Sequence, residues 1–336
     1  MMAAPPGHSR PPVLTPVREW HRPLMVNAAL MTAVVVVSLV GLAVDDRQLM
    51  DESVWIKPLK FGFAFGLYAA TLAWLLTLLT RARRIGWWIG TVFAVAGVFD
   101  VAAVATAAAR GTFSHFNNQD DFLNGLVQDI FKYGVPPLLL TTLVIAVLLL
   151  IQRTGDRALS IALRVGLFLA AASMAVAAWL INASWSPART RVDANGETDT
   201  TSLGHGIGDP DGSGMPLTNW STTGGDLRVP HFIGLHGIQV LLLGVVVLAW
   251  LATRMPLLRD DRVRSGLVGT AALGYSGLFA ITTWQAQRGQ SLIHPDAPTL
   301  IAITGVALIS LGMALAVLAL GRRRASRTAA AASSVV

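Results

Sequence analysis

Two histidines and a glutamine lie close together in a stretch that runs directly into an apolar segment. His231, His236 and Gln239 follow Asp226, and the residues after Gln239 are almost all apolar. With about 100° of rotation per residue, the two histidines lie about 140° apart on a helix, with Gln239 between them. Because imidazole nitrogens bind haem iron and divalent metals, His231 and His236 are candidate metal ligands. An interhelical hydrogen bond is the alternative explanation for each.

Further polar residues lie in or beside other apolar segments. Asp100 stands between Phe99 and Val101, and an ionisable residue at such a depth normally faces a cavity or a partner helix. Lys60 and Lys132 are its candidate counter-ions. Snorkelling of long basic side chains to lipid headgroups is the alternative for any single lysine or arginine. The candidate ligand-binding residues are Lys57, Lys60, Asp100, Arg110, His115, Asn117, Lys132, Arg228, Gln239 and Arg288.

The composition is that of a membrane protein. The 336 residues are 53% hydrophobic and 13% charged, about half the charged fraction usual for a soluble domain. The chain has no cysteine, which excludes disulfides, thiolate metal sites and cysteine nucleophiles. The excess of basic residues is explained by a charge bias among the loops, so nucleic acid is not predicted as a partner. The predicted partner is the lipid bilayer.

Long apolar runs recur along the chain and predict the elements that position these residues. Each run is long enough to cross about 30 Å of hydrocarbon as a helix. We therefore predict an all-α membrane protein with eight transmembrane helices. The predicted spans are 23–44, 59–80, 87–109, 130–152, 160–183, 231–253, 265–286 and 298–320.

The distribution of lysine and arginine among the loops predicts the topology. Basic residues cluster in alternate loops and at both ends of the chain, and the other loops hold most of the acidic residues. The positive-inside rule then places both termini in the cytoplasm. We expect a cytoplasmic segment at 1–22, a transmembrane domain at 23–320 and a basic cytoplasmic tail at 321–336. The long loop 184–230 is then an extracytoplasmic, partly ordered cap without a strong strand period.

Two short patterns recur in order along the chain. Leu72–Leu75 has the same sequence as Leu248–Leu251, and Ala108–Gly111 resembles Ala286–Gly289 at a similar separation. Because the matched spans run in the same direction, these echoes predict a parallel 4+4 internal repeat. Lys60 is then the counterpart of His236.

The loop 184–230 also contains Asp209 and Asp211 in an Asp-Pro-Asp-Gly-Ser sequence. Alternating oxygen ligands of this kind bind Ca²⁺ in some loops, but the same residues are ordinary turn formers. Both interpretations stay open.

Several sequence segments together resemble a family of bacterial multi-pass integral membrane proteins that has no established activity. The resemblance rests on Lys57-Pro-Leu-Lys60-Phe61, Arg110-Gly with Ser114-His115-Phe116-Asn117, Trp220-Ser-Thr-Thr-Gly-Gly-Asp-Leu-Arg-Val-Pro-His231-Phe with Gly234-Leu-His236 and Gln239, and Trp284-Gln-Ala-Gln-Arg-Gly289. It implies a multi-pass fold and a location in the bacterial plasma (inner) membrane. It does not imply a reaction.

Three functions are compatible with these residues. The first is a redox protein whose outward-facing polar site binds a haem, a divalent metal or a quinone-like cofactor. The second is a transporter or binder of a small anionic ligand, and the third is a non-catalytic membrane component. Either site-based function predicts one shared outer cavity, lined by Lys60, Asp100, His115, His231, His236 and Arg288.

Overall fold

The computed structural model describes residues 15–152, 156–182, 188–201, 206–208 and 213–333. Eight helices in these ranges are long and apolar enough to cross a membrane, which confirms an all-α, multi-pass membrane architecture. They are α1 (Arg22–Val44), α2 (Ile56–Thr77), α3 (Arg83–Arg110), α4 (Phe122–Leu150), α5 (Arg157–Asn182), α6 (Arg228–Ala252), α7 (Asp261–Gln287) and α8 (Ala297–Ser333).

Several helices extend beyond the predicted spans because polar residues cap or continue them. Helix α4 begins at Phe122, well before residue 130, because Asp121 accepts a 3.0 Å hydrogen bond from the Asn124 amide and so caps the helix. Helix α8 continues to Ser333, through most of the segment predicted as a tail. Apolar length therefore located the helices but not their ends.

The helices pack in a regular order. Helix α1 packs on α2 and α3, and α3 packs on α2 and α4. Helix α5 packs on α6 and α7, and α7 packs on α6 and α8, while α4 contacts α5. One apolar core joins both groups and includes Leu72 of α2, Ile145 of α4, Leu159 of α5 and Ile238 of α6. The two groups of four are thus one packed body.

Small residues allow the closest helix contacts in the second group. A Cβ at Gly166 of α5 would lie 2.6 Å from the Ile238 Cα of α6. A Cβ at Gly234 of α6 would lie 2.7 Å from Phe279 of α7 and from Ser173 of α5. Such contacts favour glycine because helices in lipid associate mainly through close van der Waals packing. They set the position of the histidine-bearing end of α6.

Four connections meet at one end of the bundle, which we call the long-loop face: α1–α2, α3–α4, the described part of α5–α6, and α7–α8. Hydrogen bonds tie them together. Asn195 donates to the Arg110 carbonyl at 2.8 Å, and Ser291 donates to the Ser221 carbonyl at 3.1 Å. Lys60 of α2 donates to the Thr218 carbonyl at 3.2 Å. The long-loop face is therefore a joined surface over the helix ends.

Short antiparallel strands order this face. The strands are β1 (Gln48–Leu49), β2 (Glu52–Ser53), β3 (Arg189–Val192), β4 (Thr198–Thr201), β5 (Gly206–Ile207) and β6 (Gly225–Asp226), paired in chain order. The long loop, for which the sequence shows no strong strand period, thus contributes the strands β3 to β6. The β3–β4 turn includes Gly196 at φ +83°, and Asp193 accepts the amides of Asn195 and Glu197 at 2.8 and 2.9 Å.

Candidate functional site

Most basic side chains of the long-loop face have a carboxylate partner. The pairs are Arg47–Asp45 (2.8 Å), Lys60–Glu52 (3.3 Å), Arg110–Asp121 (2.8 Å), Arg228–Asp226 (2.7 Å) and Arg288–Asp296. The Arg47 guanidinium and the Trp55 indole hold the pKa of Asp45 well below its usual range, and Arg288 does the same to Asp296. Asp45 and Asp296 are therefore ionised at neutral pH, and their two ion pairs are close to neutral overall.

Lys57 differs from these residues. It lies in the first turn of α2 and is partly buried, and within the described parts of the chain it makes no ion pair or hydrogen bond. It does interact electrostatically with Arg228, Lys60, Asp100 and Glu52, in that order of strength. Lys57 is therefore a basic residue within a charged group, and it has no ion-pair partner among the described residues.

Asp100 of α3 is the nearby acid that also lacks a partner. Asp100 is 3% exposed, and its Oδ1 atom is buried and makes no hydrogen bond with the described residues. Asp100 interacts electrostatically with Lys57, yet the two form no ion pair. A buried polar atom without a partner is rare in proteins, and it marks a position where water or a ligand is expected.

His115, in the α3–α4 connection, also lies beside Lys57. Its ring stacks on Phe131 of α4 at 3.9 Å between centroids and lies 5.8 Å from Phe61 of α2. Its Nδ1 atom hydrogen-bonds the Ser114 hydroxyl at 3.0 Å. Burial and the charge of Lys57 hold the pKa of His115 well below its ordinary value, so the ring is neutral at pH 7. An apolar aromatic wall therefore borders the charged group.

The α5–α6 connection is held against this group by two cations. Lys60 and Arg228 donate to the carbonyls of Thr218 and Asn219. Asp226, which is 3% exposed, accepts the Ser221 amide at 3.0 Å and so joins the connection to the start of α6. We call Lys57, Lys60, Asp100, His115 and Arg228, together with Glu52 and Asp226, the Lys57 cluster.

His231, His236 and Gln239 form a second group on α6. The His231 Nδ1 atom lies 2.9 Å from the Ser173 carbonyl and must donate to it, which leaves Nε2 as the unprotonated nitrogen. His236 Nδ1 and both amide atoms of Gln239 are buried without hydrogen bonds. The hydrogen bond from His231 to Ser173 joins this group to α5, and no hydrogen bond of the described residues joins it to Lys57.

The other candidate residues lie outside both groups. Lys132 is exposed, with its ammonium 5.2 Å from the centre of the Tyr133 ring. Arg110 pairs with Asp121 at the start of α4, and Arg288 stacks over Trp284 at 4.3 Å. Asn117 is 2% exposed and is used structurally, since its amide donates to Thr112 and Phe113 and its carbonyl oxygen accepts the Gln119 amide. Each has a local structural partner.

The shared cavity that the sequence predicts stays a prediction. Contacts link Lys60, Asp100 and His115 through Lys57, whereas Arg288 binds Asp296. A groove of about 430 Å³ lies between α3 and α4, but it is lined by apolar residues such as Trp88, Phe99 and Ile130 and by none of the candidate site residues.

The metal predictions also stay untested. Within the described ranges, no group of three or more His, Asp or Glu residues is arranged to hold a metal ion. His231 and His236 lie near each other but form only a pair of candidate ligands. Asp209 and Asp211, the candidate calcium ligands, lie outside the described residues.

Sequence reasoning missed the acids that neutralise the cluster. It did not assign Glu52 to Lys60, nor Asp226 to Arg228. One signal was present, because an Asp-x-Arg pattern occurs both at Asp45–Arg47 and at Asp226–Arg228. In both, the carboxylate accepts the arginine amide and its guanidinium. The aromatic wall had no comparable signal, since Phe61 and Phe131 are far apart in sequence.

Comparisons with known proteins add no assignment. A scan against models of protein families finds no match, and no curated protein or solved structure is significantly similar to this chain.

Proposed function

We propose that this multi-pass membrane protein binds a small ligand with an anionic group at the Lys57 cluster, as a transporter or a ligand receptor. The observation that carries the proposal is the Lys57 side chain, which has no ion-pair partner among the described residues, although the neighbouring cations Lys60 and Arg228 each have a carboxylate. A buried amine is favourably protonated only when an anion compensates its charge. A carboxylate or phosphate of a ligand is suited to do so.

We place this site on the extracytoplasmic side of a bacterial plasma membrane. The support is the loop charge bias, which assigns the long-loop face to the outside. The first turns of α2 and α6 lie at the cluster, and their N-cap residues, Trp55 and Leu227, make no side-chain cap hydrogen bond. A positive helix end and a free ammonium at one place favour an anion.

The proposal includes the parallel 4+4 repeat. Its support is the same packing order in the two groups of helices. Gly111 and Gly289 both have positive φ, +74° and +70°, at matching positions after α3 and α7. Arg110 pairs with Asp121, the N-cap of α4, and Arg288 pairs with Asp296, which accepts the Thr299 amide at the start of α8. Internal repeats with a site between them are common in transporters, which favours that class over a receptor.

Ligand-induced stabilisation tests the proposal. Purified protein in lipid nanodiscs is mixed with acetate, succinate, citrate, inorganic phosphate or single amino acids, and its thermal unfolding is followed. At about 100 times its Kd, a bound compound stabilises the folded state by about 2.7 kcal/mol. We expect at least one compound to stabilise the wild-type protein and to lose this effect in Lys57→Gln.

Lys132→Gln is the matched control. Lys132 lies on α4, but its side chain is exposed and its ammonium lies over the Tyr133 ring. This variant should respond like the wild-type protein. The proposal would be contradicted if a compound stabilised Lys57→Gln as much as it stabilises the wild-type protein. It would also be contradicted if no compound stabilised the wild-type protein. Redox binding of a haem, metal or quinone at His231 and His236 stays a prediction, as does a non-catalytic role.

A further inference from the structure

After its ion pairs are formed, the Lys57 cluster has one basic and one acidic side chain without an ion-pair partner among the described residues. Glu52 is taken by Lys60 and Asp226 by Arg228, at 3.3 and 2.7 Å. Lys57 and Asp100 remain, and they attract each other without closing into an ion pair. A simple anion bound at Lys57 would leave the Asp100 carboxylate buried close to a second negative charge. Such an arrangement is unfavourable.

We propose that the ligand is an amino-carboxylate zwitterion, with its carboxylate on Lys57 and its ammonium on Asp100. This proposal rests on the proposed function and names the ligand class of the same site. The Asp100 Oδ1 atom is buried and accepts no hydrogen bond from the described residues, so it is available to an N–H donor. An ammonium group supplies both the donor and the missing positive charge.

The aromatic wall beside Lys57 also reaches the face of α3 that carries Asp100. Ala103 and Val104 follow Asp100 by one helical turn on the same buried face of α3. They pack in one cluster with Phe61 and Phe131. Aromatic rings attract cations through their negative faces, and a carboxylate beside aromatic rings is a common way to bind an amine.

Paired compounds that differ only in an amino group test this directly. The pairs are glycine and acetate, β-alanine and propionate, and 4-aminobutyrate and butyrate. Binding to the protein in nanodiscs is measured by calorimetry for the wild type, Asp100→Asn, Lys57→Gln and Lys57→Arg. Asp129→Asn is the control, since Asp129 is an exposed acid on α4.

We expect at least one amino compound to bind the wild type about tenfold or more tightly than its partner. In Asp100→Asn this preference should fall to about onefold while the carboxylate alone still binds. Lys57→Gln should bind neither member of the pair, Lys57→Arg should retain the preference, and Asp129→Asn should behave as the wild type.

Failure of this inference is distinguishable from failure of the proposed function. If carboxylates bind through Lys57 but the wild type shows no preference, or if Asp100→Asn keeps it, the zwitterion is refuted and the anion site stands. Equal binding of both members with uptake of one proton, lost in Asp100→Asn, also refutes it, because Asp100 then binds a proton instead. If none of the six compounds binds, the zwitterion is refuted, and the stabilisation test with succinate, citrate and phosphate decides the anion site. If Lys57→Gln binds as the wild type does, both are refuted.

Discussion

Replacement of Asp226 by alanine should loosen the α5–α6 connection and destabilise the protein. The carboxylate is 3% exposed, and it accepts the Ser221 amide at 3.0 Å, the Arg228 amide at 2.9 Å and the Arg228 guanidinium at 2.7 Å. Removing one member of a buried ion pair costs about 3–5 kcal/mol, because the remaining charge stays desolvated. Since the Arg228 side chain is 23% exposed, we expect about 3 kcal/mol, the lower end of that range.

Asp45→Ala provides the comparison, because Asp45 binds Arg47 through the same Asp-x-Arg geometry in a more exposed place. The Asp45 and Arg47 side chains are 18% and 31% exposed. Hydrogen bonds to a charged group contribute about 1.5–3 kcal/mol, and solvent screening at this more exposed position reduces the expected loss to about 1 kcal/mol. Equilibrium unfolding in mixed micelles measures both variants, and hydrogen exchange should rise at 219–227 in Asp226→Ala alone. A loss in Asp45→Ala equal to or larger than that in Asp226→Ala would refute the argument from burial.

Two further outcomes are expected from packing and from pH. Gly166→Val should cost about 1–3 kcal/mol by overpacking, because a Cβ there would lie 2.6 Å from the Ile238 Cα, and unfolding measurements that show no loss would contradict this contact. Burial lowers the pKa of His115 and of His21, so the stability they contribute is present above the ordinary histidine pKa of about 6.5 and falls as pH decreases below it. His115→Phe, which preserves the stacking on Phe131, should weaken this dependence between pH 7 and 5 without abolishing it, and an unchanged slope would show that His115 is not buried in its neutral form.

The membrane architecture is predictable because lipid imposes a simple rule on sequence. Each crossing needs about 20 apolar residues, so the spans are visible as runs. Helix ends are less predictable, because they depend on capping residues such as Asp121 and on contacts beyond the apolar run. The β3–β4 hairpin was missed for a related reason, since its buried side chains Asp199 and Thr201 are polar and give no apolar alternation.

The candidate site is only partly predictable. The sequence identifies ionisable residues in costly places, such as Lys57, Lys60 and Asp100, because polar groups in apolar runs stand out. The sequence does not show which acid pairs with which basic residue. In the structure, Lys60 pairs with Glu52 and Arg288 pairs with Asp296. Partner choice depends on distances of a few ångströms, and only the packed chain defines these.

The sequence by itself therefore determines that this is a membrane protein with eight apolar helices and with ionisable residues in several of them. Tertiary structure decides which of these residues are free. The α1–α2 connection brings Glu52 to Lys60, and the start of α6 brings Asp226 to Arg228, which leaves Lys57 and Asp100 without ion-pair partners among the described residues. The physical reason is that hydrophobicity is a property of each segment, whereas compensation of charge is a property of their arrangement in space.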